Sequence, residues 1–359
     1  MSVTAVTVLF FALVVALLLV PLIPAVREIR SRFDAEALPI AADGRVSPSY
    51  FAERFRLDLG NRPSGPLDEV RASGQIQRGR IDDGEAFVVL PAARPHLPDD
   101  EAAPAESMIL AVGDLELEPR RSLDREIFAG GDIRAGDGVV LRATLADGDV
   151  TLGEGATSLR WIHADGTVQV GPKSRAHGRV SAGRRIRIDG GVRFERLHAP
   201  RIEFGVPLDP EPIPPDHLRP LDADDLDGRT EVAAGRTLVH GDVTLPPDTR
   251  WTGDLVVRGS LRAGPGTRIE GSVKTRGVHL ESATVVTGSV VSTKGASIGP
   301  RVRIDGLLIT EGHVRLGHGS VVGREPESAT LRAETLDVEA GCVVHGTVWV
   351  GEDGGWTES

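Results

Sequence analysis

Ile269-Glu270-Gly271-Ser272-Val273, Val286-Thr287-Gly288-Ser289-Val290 and Ile304-Asp305-Gly306-Leu307-Leu308 are three passes of one pattern, and their spacing decides the fold. Gly253, Gly271, Gly288, Gly306 and Gly323 follow one another at intervals of 18, 17, 18 and 17. Gly113, Gly131, Gly148, Gly166 and Gly183 repeat the same intervals far upstream. Two separate blocks with one period are the mark of a coiled repeat architecture.

Apolar residues hold fixed stations within each period. The first wall is Leu255, Val273, Val290 and Leu308, matched upstream by Leu115, Ile133, Val150 and Val168. A second runs through Leu261, Val278, Leu280, Ala296, Ile298, Val314 and Leu316, and a third through Ile269, Val285, Val302, Ile304 and Val321. Between them polar residues alternate, as in Arg301-Val302-Arg303-Ile304-Asp305. Alternation at period two is the pattern of a strand with one buried face. Three short strands per turn predict an all-β, triangular parallel β-helix whose rungs stack at about 4.8 Å, so that ten rungs would make a rod of roughly 50 Å. Each glycine is expected at a corner with positive φ. Asp114, Asp132, Asp149, Asp254, Ser272 and Ser289 follow such glycines and are expected to satisfy turn backbone.

Composition agrees with a thin, regular core. Aromatics make up 4% of the 359 residues and glycine is abundant at 43, so Val, Ile, Leu and Ala must fill the interior. A net charge of −11 argues against a nucleic-acid partner, which needs a basic face. The single cysteine, Cys342, cannot form an intramolecular disulfide and reads as a buried structural thiol.

Residues 1–26 carry no charged side chain and centre on an apolar run from Val8 to Val20, long enough with its flanks to cross a bilayer as helix. No Lys or Arg precedes the run, unlike a cleaved signal peptide. Arg27, Arg30 and Arg32 follow it and hold that flank in the cytoplasm. The expectation is an uncleaved, single-pass membrane anchor, N-terminus out and body cytoplasmic. Residues 27–106 are a juxtamembrane and capping region. Within them Ser47-Pro48 opens a helix that places Phe51 and Phe55 on one face. That helix either lies on the membrane surface or packs over one end of the next domain. Ala86 to Leu90 reads as a strand. The first β-helix block is expected at 107–205, a Pro/Asp-rich linker or loop that cannot ladder at 206–230, the second block at 231–350, and a disordered tail at 351–359.

Ten histidines are present, with His163, His177, His198, His240, His279, His313, His318 and His345 in or beside rungs. One reading makes the chain an acyltransferase, since hexapeptide-repeat enzymes use triangular β-helices and a catalytic histidine. The other makes these residues outward polar filler, as His313 alternates with Val314. An enzyme of that class usually carries a long excursion loop with a nearby acid, whereas the excursion here is proline-rich and holds a single histidine, His217. His313 and His318 lack further zinc ligands nearby, and no Gly-rich phosphate loop is present. No catalytic residue, cofactor or metal is expected, and the chain reads as a scaffold rather than an enzyme.

Val239-His240-Gly241-Asp242-Val243, Ile269-Glu270-Gly271-Ser272-Val273, Val286-Thr287-Gly288-Ser289-Val290 and Val344-His345-Gly346-Thr347-Val348 resemble the rungs of bactofilins, the polymer-forming bacterial cytoskeletal family. Residues 231–350 carry the resemblance closely and 107–205 loosely, while Tyr50 to Arg56 is similar to the juxtamembrane stretch of membrane-anchored members. The resemblance implies right-handed β-helices that stack end to end into nucleotide-free, membrane-associated filaments positioning cell-wall, cell-division or cell-shape factors. The chain departs from it in having two blocks and a long N-terminal part, for which the nearest variant is a membrane scaffold that does not polymerise. The last rung, Gly346-Thr347-Val348-Trp349-Val350, has no proline, and no charge before Glu352. An unguarded edge invites pairing. Val348, Trp349 and Val350 are therefore expected either to dock on the same end of a second chain or, through Trp349, to cap the core of one molecule.

Overall fold

The computed structural model describes residues 49–60, 66–80, 85–97, 107–208, 218–226, 229–233 and 235–356. The expected anchor at residues 1–26, the capping Ser47 and His217 lie outside the described residues. Among the described residues no helix is long and apolar enough to cross a membrane. Residues 49–359 form one compact unit.

That unit is a β-solenoid of about 14 turns. Each full turn presents three strands, so the rod has three faces, here A, B and C. In the second block face A stacks Asp254–Val257, Val273–Thr275, Val290–Ser292 and Leu308–Thr310 in parallel. Face C stacks Ser260–Ala263, Gly277–Leu280, Gly295–Ile298 and His313–Leu316. Face B stacks Arg268–Glu270, Val285–Val286, Arg303–Ile304 and Val321–Val322. The expected registers hold: Val290 pairs between Val273 and Leu308 and is fully buried. The core is a continuous column of Val, Ile, Leu and Ala through both blocks.

The glycine corner has a different cause from the one expected. Of the ten periodic glycines, Gly253 and Gly323 alone have positive φ. The others are needed because successive corners stack too closely for a side chain. A Cβ on Gly288 would lie 2.5 Å from the Gly271 carbonyl oxygen, and one on Gly306 would lie 2.7 Å from that of Gly288. The left-handed corner sits elsewhere and is taken by Asp248, Ala283 and Arg301 as well as by glycines. The Asp and Ser side chains do satisfy backbone, but that of the next rung. Asp132 Oδ1 accepts from the Asp149 N–H, Asp254 Oδ1 from Ser272, and Ser289 Oγ from Leu307.

The first block begins earlier than its glycines indicate. Ala86–Leu90 is its first face-A strand, parallel to Met108–Ala111, and Gln77–Arg80 closes over it as an antiparallel hairpin. The second block is closed at its own start by the hairpin of Arg229–Ala233 with Arg236–His240. The Pro/Asp-rich segment does ladder in part: Arg219–Leu221 pairs with Thr249–Thr252 on face B, and Leu221 and Leu226 are buried. Pro220 is tolerated because this strand is the outermost of its sheet, where a missing N–H removes no inner ladder bond.

The two blocks meet at their C-terminal ends. Arg193–Phe204, the last rung of the first block, pairs antiparallel with Cys342–Trp356, the last rung of the second. The pairing touches all three faces: Phe194 with Gly354 on C, Leu197 with Val348 on A, and Ile202 with Val344 on B. The chain visits the faces in the order A, B, C in the first block and A, C, B in the second. Two coils of one hand that run in opposite directions must do this. Phe194 and Phe204, 5.6 Å apart and both buried, fill the seam where other rungs carry smaller residues. The strand Cys342–Trp356 also runs through residues 351–356, which the sequence assigned to a disordered tail.

Candidate functional site

The seam is where the chain's remaining unusual residues gather. Val348 and Val350 are buried in the core, and Trp349 points outward with 41% of its surface exposed. Their strand is paired on both sides, with Leu331, Arg332 and Ala333 in parallel and with Arg196 and Leu197 antiparallel. The partner waiting for this edge is therefore the chain's own first block. The lack of guarding charge or proline, read from sequence as an open edge, belongs here to an interior strand. Nor does Trp349 cap the core. Its ring lies under the guanidinium of Arg196 at 4.8 Å and that of Arg332 at 5.1 Å, a cation–π sandwich.

Following the strand pairings away from Trp349 gives an outward column along face A. In one direction it continues through Arg196, Arg179 and Trp161. In the other it runs through Arg332, Ile309, Val291, Lys274, Val256 and Leu238. No acid interrupts it until Glu126 and Glu231, beyond its two ends. Burial, and then the neighbouring Arg196, hold the Arg179 guanidinium below its ordinary pKa.

In the first block face A is roofed by two helices, α1 (Tyr50–Gly60) and α2 (Pro66–Ser73). Outward Val89, Met108, Leu110, Phe128 and Leu145 form a second apolar cluster with Ala52 and Val70 from these helices. The signal was present in the sequence as paired apolar residues, Ile109-Leu110 and Ile127-Phe128, which mark strands buried on both sides. Phe55 meets Trp161 edge-on at 6.0 Å. Arg56 reaches Asp147 at 2.7 Å and Asp165 at 3.0 Å. These bonds lift its pKa although burial opposes them. The helix thus packs on the side of the rod rather than over an end. It buries only part of its apolar surface: Tyr50, Phe51 and Leu57 remain 46%, 51% and 53% exposed, and Phe51 lies 5.9 Å from the Arg179 guanidinium.

The candidate histidines are spread over the rod. His313 is outward, bonded to Thr335 Oγ1 at 2.9 Å, while Val314 is buried. His279 and His313 line a shallow groove on face C, floored by Gly277 and Gly295 and flanked by Arg262 and Arg315. Each arginine there is held by an acid of its own face, Glu281 and Glu339. His177 and His240 face Glu195 and Glu231 at 3.5 and 3.2 Å. His345 contacts the Pro200 carbonyl across the seam.

Among the described residues His163 is the one histidine placed between a serine and an acid, with Nδ1 2.8 Å from Ser181 Oγ and Nε2 3.2 Å from Asp165. The residue types are those of a hydrolytic triad. Ser181, however, is 3% exposed and its hydroxyl also donates toward the Ile162 carbonyl, while Asp165 is engaged by Arg56. The trio seats α1 on the rod. Its continuation across the seam is His198, whose Nδ1 lies 2.8 Å from Thr347 Oγ1 of the second block. Burial lowers the pKa of both His163 and His198.

Cys342 is fully buried beside the Gly317 carbonyl at 3.1 Å, and burial pushes its pKa up to about 12. Among the described residues no group of three His, Cys, Asp or Glu side chains could hold a metal ion. Comparison with family models, with curated proteins and with solved structures gives no match.

Proposed function

We propose that this chain is a non-enzymatic, membrane-tethered scaffold of bactofilin type that does not polymerise. In this reading residues 1–26 hold it in the inner membrane, the right-handed rod stands on the cytoplasmic side, and its faces position cell-wall, cell-division or cell-shape factors. The observation that carries the reading is the seam. A bactofilin-like chain is expected to join others through β-helix ends, and here the two C-terminal ends available in one chain are paired with each other. The two outer ends are closed by hairpins. Their edge strands carry Arg78 and Arg80 at one end and Glu231 at the other, the kind of charge that guards an edge. Self-association is thereby spent within the molecule, and what remains is a stiff spacer with long side faces.

Electron microscopy of the full chain in detergent tests this. Single rods of about 70 Å, from about 14 turns at about 4.8 Å each, are expected, and filaments would overturn the proposal. The rival reading, an acyltransferase using a β-helix histidine, would place its site in the groove of face C. A His313→Gln/His318→Gln variant that folds but loses its cellular role would favour it.

A further inference from the structure

We propose that the open part of face A is a membrane-contact surface that lies on anionic lipid headgroups. The inference rests on the tethered-scaffold reading and assigns one face of the rod a partner. The uncovered column contains Arg196, Trp349, Arg332, Ile309, Val291 and Lys274 in spatial order, with no acid among them. In a chain of net charge −11, a file of cations, an exposed tryptophan and aliphatics departs from the acidic character of the whole. It is also the composition that partitions to the water–bilayer boundary, where tryptophan sits at headgroup level and Lys and Arg meet anionic lipid. Trp349 is presented outward between two guanidinium groups instead of being buried as Trp251 is.

Two further observations favour a bilayer as the occupant. The column is laddered rung on rung, one residue per rung at about 4.8 Å, so its side chains form a continuous file and not a pocket. Helix α1 lies on this same face, beside the open column. Tyr50 and Phe51, both exposed, open α1 beside Arg179, and the uncharged run of residues 1–26 precedes them. Asp254, Glu311 and Glu334 stand two residues from column positions, as do Arg258 and Arg276, so charge beside the file is mixed and the attraction is concentrated in the file itself.

The test uses the full chain in vesicles whose acyl chains carry bromine, made with phosphatidylcholine alone or with added phosphatidylglycerol. The Trp349 signal is the difference between wild type and Trp349→Phe. Trp349 quenching in anionic vesicles is expected, weakened by high salt and cut several-fold by Lys274→Glu/Arg332→Glu. Salt requires no substitution, so a folding defect in the double variant does not decide the result. Resistance to alkaline extraction reads the anchor separately. An embedded chain whose Trp349 stays unquenched overturns the inference and leaves the anchor standing. An extractable chain that still binds anionic vesicles with Trp349 quenched upholds the inference and overturns the anchor. A dimer that the double variant dissolves, with no quenching, assigns the face to a second copy and overturns the proposal.

Discussion

Single residues in this rod matter through which way they point. Val290 and Val291 are adjacent, similar in chemistry and opposite in consequence. Val290 is fully buried between Val273 and Leu308, and Val291 is partly exposed on face A. Val290→Asp places a charge in a core without a partner and is expected to cost about 3–5 kcal/mol, whereas Val291→Asp should stay within about 1 kcal/mol. Denaturant titration of both variants checks the register, and equal losses would refute it. Cys342 gives a second test at this scale. Its raised pKa means that the folded state holds the thiol proton more tightly than the unfolded state. The stabilising contribution is therefore complete below the ordinary value of 9.0 and is lost as pH rises toward about 12. Maleimide should label Cys342 only on unfolding. Fast labelling of native protein at neutral pH would show that the last rung is open.

At the scale of elements, the seam joins two strands through an interface that includes a histidine. His198 is kept neutral by burial, and then by the positive charge of Arg179 and the nearby His163. A histidine with a lowered folded pKa contributes stability above its ordinary value of 6.5 that is lost as pH falls through the folded value. His163 and His345, lowered mainly by burial, act in the same direction. The melting temperature should be flat above about pH 6.5 and fall below it before carboxylates begin to titrate. His198→Asn should flatten that fall. An unchanged pH profile in the variant would mean that His198 does not sense the seam.

The strands themselves were largely legible, because period-two alternation within a 17–18-residue repeat is a local signal. The glycine corners were located but misattributed, since close stacking of rungs and positive φ both call for glycine and the sequence does not distinguish them. The helix roof was half visible. The sequence shows Phe55 on an apolar helix face, but what it packs on, Trp161, lies 106 positions away. Arg219–Leu221 was hidden by Pro220, which excludes a strand from the middle of a sheet and not from its edge.

The whole molecule turns on the meeting of two blocks that no local pattern announces. Antiparallel pairing of Leu197 with Val348 depends on strands about 150 positions apart in sequence. The Val348-Trp349-Val350 rung offered a clue in its lack of guards, which fits an interior strand as well as an adhesive edge. The reading of a discrete scaffold follows from that choice. So does the continuous face A, since Arg196 and Arg332 come from different blocks and meet over Trp349 only because the blocks dock.

That docking is tested most directly by a cysteine pair across the seam. His198 and Thr347 face outward and lie opposite each other in adjacent antiparallel strands, within the separation that a disulfide spans. Cys342 is buried and does not compete. The full chain carrying His198→Cys and Thr347→Cys, mildly oxidised, should form a disulfide within one molecule and run as a compact monomer on a non-reducing gel. Disulfide-linked dimers, or no disulfide at all in folded protein, would contradict the account.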